Sequence, residues 1–103
     1  MSHSEKLYPL VIMPPVQKKM YAHFEFLGCV SPTSAKRLEQ TLASDLSSLT
    51  RQPERYPVYE SSARTLRYRL SAKRYRIVYE VVDDTVYVHD IQDCRQDTDK
   101  NLV

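Results

Sequence analysis

The sequence predicts an α+β domain: a strand and two helices, then a run of antiparallel strands. Three observations predict it. Apolar residues recur at three- and four-residue spacing from Val16 to Leu49, the spacing drops to two from Leu66 onward, and a proline-bearing loop divides the two regimes. The 103 residues make one domain, 1–103, large enough to bury a core without staples.

Leu7 to Met13 is a short apolar run stopped by Pro14 and Pro15, where backbone donors vanish, and it reads as a first strand. From Pro15 the pattern is helical. Val16, Met20, Phe24 and Leu27 share one face while Gln17, Lys18, Lys19 and Glu25 fall elsewhere, and Gly28 supplies the stop. Ser31 followed by Pro32 starts a second helix, because serine caps free amides and proline is tolerated in a first turn. Its stripe is Ala35, Leu38, Leu42, Leu46 and Leu49. The short gap implies an antiparallel helical hairpin.

Arg51 to Tyr59, with Pro53 and Pro57, reads as a surface loop. Leu66, Tyr68 and Leu70 then alternate with Thr65, Arg67 and Arg69, which predicts both arginines on the face away from the core. Ser71 to Lys73 forms a turn. Tyr75 to Val82 is apolar on both faces and reads as a central strand, and Asp83-Asp84 turns the chain into a last strand from Thr85 to Ile91.

Composition excludes several classes. One glycine leaves no material for a glycine-rich phosphate loop, and no apolar run is long enough to cross a bilayer. MSHSEKLYP lacks the apolar core of a signal peptide, so a cytoplasmic location with no membrane partner is expected. Cys29 and Cys94 lack metal-ligand spacing, so neither metal nor cofactor is expected, and Cys29 reads as a buried thiol.

The charge is uneven. Arg64 to Arg76, RTLRYRLSAKRYR, holds six of the fifteen Lys and Arg residues and no acid, leaving nine bases against all thirteen acids elsewhere. The +2 overall therefore hides a dipolar molecule. Such a stretch reads either as a footprint for a polyanion, which gains free energy by releasing counterions, or as a strand edge kept soluble by charge.

The run RYRLSAKRYRIVYEVVDDTVYVHDIQDCRQD, and YRIVYEVVDDTVYV within it, resembles the RelE/ParE superfamily of bacterial type II toxins. The resemblance implies a single RelE/ParE-like domain, β-α-α-β-β-β, with the helical hairpin on one face of a small, mainly antiparallel twisted sheet. It implies a cognate antitoxin as partner, in a toxin-antitoxin hetero-oligomer or beside a homodimer. It also implies one of two activities. RelE-like members cut mRNA on the ribosome without a metal, which would make ribosome and mRNA partners and the protein an endoribonuclease. ParE-like members inhibit DNA gyrase by binding it. A degenerate toxin that only binds its antitoxin is a third reading.

The ribonuclease reading is the expectation carried forward. In-line attack by a ribose 2′-OH needs a base, stabilisation of charge on phosphorus and an acid for the leaving oxygen. Transferred residue by residue, the family pattern assigns transition-state charge to Arg76, the leaving group or phosphate to Arg95, and RNA phosphates to Arg67 and Arg69; Arg64, Lys73 and Arg74 of the same basic stretch are further expected phosphate contacts. Arg67, Arg69 and Arg76 are expected on one sheet face. Ribonuclease members place Tyr or His near the C-terminus, but Asp93 stands where many have histidine, as a base or as half of a structural ion pair with Arg95. Glu60 is a second candidate base, or a solvated loop charge. His89 reads as a partly buried strand histidine before a catalytic one, His23 as structural, Tyr79 as core, and Tyr68 and Tyr75 as support.

Overall fold

The computed structural model describes residues 6–59, 65–95 and 101–102. Glu60 and Arg64 lie outside these. Leu10–Ile12 forms β1, Pro14–Val30 α1, Pro32–Ser48 α2 and Val58–Tyr59 β2. Leu66–Ser71 is β3, Tyr75–Val82 β4 and Thr85–Asp93 β5. One five-stranded sheet has the order β1-β5-β4-β3-β2, antiparallel except where β1 runs parallel to β5. The domain is α+β, as the two periodicities predict.

The helices differ from expectation at their junction. Gly28 does not end α1, which runs on to Val30, and Ser31 alone separates the helices. Ser31 donates its backbone N–H to Leu27 O, 2.8 Å away, and accepts from Ser34 N–H at 3.3 Å. It closes one helix and opens the next, so glycine is not needed as a stop. A Cβ on Gly28 would meet the Ala35 Cβ at 4.0 Å, an ordinary contact. Because α1 runs through Cys29 with its outward face, that thiol is exposed, not buried. The Arg51–Tyr59 loop carries a turn of 3-10 helix at Pro53–Arg55 and the short edge strand β2, both unforeseen because Pro53 and Pro57 mask them.

Val16, Leu38, Leu42, Leu46 and Leu49 of the helices pack on Tyr75, Ile77, Tyr79, Val86, Val88 and Ile91 of the sheet. This is the predicted helix-on-sheet core. Asp83 and Asp84 both take positive φ, 50° and 61°, as do Ala72 and Lys73 at 54° and 57°, which turns both hairpins without a glycine. Between Val78 and Tyr79 the β4–β5 register shifts: Val78 faces Asp90 and Tyr79 faces Val88. His89 is the extra residue of that bulge.

Candidate functional site

Cross-strand partners share a face, so the ladder decides where each arginine points. Arg67 faces Tyr79, Arg69 faces Ile77 and Ser71 faces Tyr75, and these three partners are all buried under the helices. Arg67 and Arg69 therefore lie on the helix side. Arg76 pairs with Leu70 and lies on the other face, so the expected three-arginine face does not form. The two alternating sets of β3 are those the sequence shows, but the arginine set and not the apolar set faces the helices. Leu70 is 57% exposed, and Leu66 is buried on the far face beside Tyr68 and Val78.

Arginine is tolerated on the helix side because β3 lies near the sheet edge, where polar groups of α2 and the loop meet its head. Arg69 pairs with Asp45 at 3.1 Å, donates to Ser48 Oγ, and reaches the Tyr56 hydroxyl at 3.1 Å. Ser71 Oγ donates to the same Asp45 at 2.6 Å, and Arg67 donates to Tyr56 O at 2.6 Å. Burial alone would raise the Tyr56 phenol, but the Arg55 hydrogen bond and the Arg69 charge outweigh it and hold the pKa below its ordinary value. The cluster fastens α2 to β3. Asp45, Ser48 and Tyr56 gave no sequence signal, because the β3 residues they hold lie 11 to 26 residues away.

On the far face Arg76 lies between two rings, 5.8 Å from the Tyr59 centroid and 5.2 Å from that of Tyr68. Its Nη1 reaches Gln92 Oε1 at 3.4 Å, and its Nε is buried without a hydrogen-bond partner among the described residues. Gln92 Nε2 donates to the Tyr59 hydroxyl and to Asp90. Asp90, wholly buried, also accepts from Lys19 at 2.7 Å and from Leu102 N–H at 2.7 Å. His89, also on this face, meets Glu80 at 2.9 Å, the partly buried strand histidine expected.

Asp93 is buried at the end of β5. Arg74 grips it with three contacts of 3.0, 3.0 and 2.6 Å, and Arg95 adds its backbone N–H at 2.9 Å. The partner expected from sequence was the Arg95 side chain; the structure places the Arg74 guanidinium there. Burial would raise the Asp93 pKa, but those bonds win and hold it below the ordinary carboxylate value. Arg74 is thereby committed to structure, while Lys73 and Arg95 are exposed.

His23 of α1 sits 2.6 Å from the Tyr75 hydroxyl at the mouth of a hollow of about 370 Å³ walled by Phe24, Phe26, Leu42 and Ile91. Burial pushes its pKa down; Arg74 and Lys19 add to this, and Asp93 opposes it. A base depressed in the fold contributes stability that is complete above its ordinary value of 6.5 and drains away as pH falls below it. Melting temperature is expected to fall more steeply below that pH in the native protein than in His23→Gln. Parallel curves for the two would sink the assignment.

A helical hairpin on one face of a mainly antiparallel sheet, with an arginine-bearing hairpin and a bulged last strand, is the architecture of a RelE/ParE superfamily toxin. Residues 10–98 match the family model "ParE toxin of type II toxin-antitoxin system, parDE", and the chain belongs to that family. No curated protein matches it. Membership brings a cognate antitoxin as partner. No helix among the described residues is long and apolar enough to cross a membrane.

Proposed function

We propose that this toxin acts by binding DNA gyrase, not by cutting RNA. The observation that carries the proposal is the dispersal of the residues a ribonuclease would need together. Arg67 and Arg69 are bonded on the helix side, Asp93 is closed under Arg74, and Arg76 is stacked on the opposite face. An acid or base must reach the proton it moves. Asp93, buried and held ionised, is poorly placed for either duty. Protein binding asks for no such convergence, and α1 exposes Phe26 and Val30 four residues apart as an apolar patch for a partner.

One observation favours the ribonuclease reading: Arg76 carries its charge on the sheet face away from the helices, between two rings, with its buried Nε unbonded among the described residues. Two assays separate the readings. The toxin is expected to abolish supercoiling of relaxed plasmid by purified gyrase and to leave ribosome-engaged message intact. Message cuts that vanish in Arg76→Ala, with supercoiling untouched, would overturn the proposal in favour of RNA cleavage by the toxin.

A further inference from the structure

We infer that the pole of the molecule at the β3–β4 turn carries a sequence-independent site for the backbone of duplex DNA. Three elements converge there. The turn presents Lys73 and Arg74, β5 delivers Arg95, and the first half of α2 lies against them through Ser34 and Leu38. Together they line a hollow of about 590 Å³. Arg37 and Lys36 are exposed on the same stretch of α2, where they line a separate hollow. Among the described residues the acid in contact with this hollow's cations is Asp93, which is buried and paired with Arg74, so Lys73 and Arg95 face solvent there, with Arg37 and the acid Glu39 exposed along α2.

At the opposite end of β4 the acids are Asp83 and Asp84, and Lys6 pairs with Asp84 at 2.8 Å. Asp83 and Asp84 turn the chain there, and β4 holds the two turns about 25 Å apart.

The lining favours duplex over single-stranded RNA. Unstacked bases are held on open aromatic rings, and the ring at this hollow, Tyr75, is only 4% exposed and bonded to His23. What the pole offers is long cationic side chains and the Ser34 hydroxyl, the groups that meet phosphate and sugar without reading sequence. The inference is independent of the choice of gyrase as target.

The test is fluorescence anisotropy with a short labelled duplex across a salt series, using the whole protein. With about three phosphates neutralised, affinity is expected to fall about 40-fold between about 50 and 200 mM salt. In the double variant Lys73→Asn, Arg95→Ala the same interval is expected to cost about fourfold. Asparagine is chosen because it tolerates the positive φ of Lys73. Circular dichroism confirms that the variant folds, and Lys18→Ala, which loses one exposed charge from the start of α1, is expected to keep the full slope. Absence of binding at low salt, an equal loss of slope in Lys18→Ala, or tighter binding of single-stranded RNA or an acidic peptide than of duplex would each overturn the inference. None of these depends on the supercoiling assay.

Discussion

Tyr79→Ala is expected to cost about 3 to 5 kcal/mol of folding stability, the range for deleting a large buried aromatic side chain. Tyr79 is fully buried at the centre of β4, in the core under the helices, with its ring edge-on to Tyr56 at 6.5 Å. Its hydroxyl donates to Pro53 O, tying the 3-10 turn to the sheet, and burial raises the phenol far above its ordinary pKa, so it remains a donor at any physiological pH. The cost divides into two parts. Tyr79→Phe keeps the ring and removes the bond, and is expected to lose about 1 to 3 kcal/mol because Pro53 O is left unpaired. Urea unfolding of the two variants gives both figures. Equal losses would show that the hydrogen bond, not the cavity, dominates.

Asp93→Ala is expected to cost a similar amount, about 3 to 5 kcal/mol, by a different route. The carboxylate neutralises a half-buried Arg74 and receives the Arg95 amide; without it both are left uncompensated at the edge of the core. The native pair has a pH signature. Asp93 is depressed in the fold, so its contribution is complete above the ordinary value of 3.8 and is lost as pH falls below that toward the folded pKa. Native stability should drop through this window more steeply than that of the variant. A variant as stable as the native protein at neutral pH would show that Arg74 finds water as good a partner.

Much of the fold was legible because each element carries its own period. Leu38, Leu42, Leu46 and Leu49 mark α2, alternation marks β3 to β5, and Asp83-Asp84 marks a turn. The boundaries were less so: Gly28 looked like a stop because glycine often is one, while the actual junction needed only Ser31. The site was less legible still, for a reason specific to β3. Alternation separates Arg67 and Arg69 from Leu66, Tyr68 and Leu70 but says nothing of which set faces the helices. That depended on Asp45, Ser48 and Tyr56, which receive the arginines from distant parts of the chain. Arg76 sits in a strand apolar on both sides. Its two stacking partners come from β2 and β3, and β2 was read as loop.

The strand order has a consequence for how the toxin is made. Among the described strands β1 pairs with β5 alone, Leu10 with Val86 and Ile12 with Val88, so β1 has no strand to join until β5 has been made. The β3–β4–β5 meander can zip from its turns, whereas the parallel contact must close a loop of some 76 residues and comes late. A nascent chain halted before Val86 therefore leaves β1 and the start of α1 without their seat.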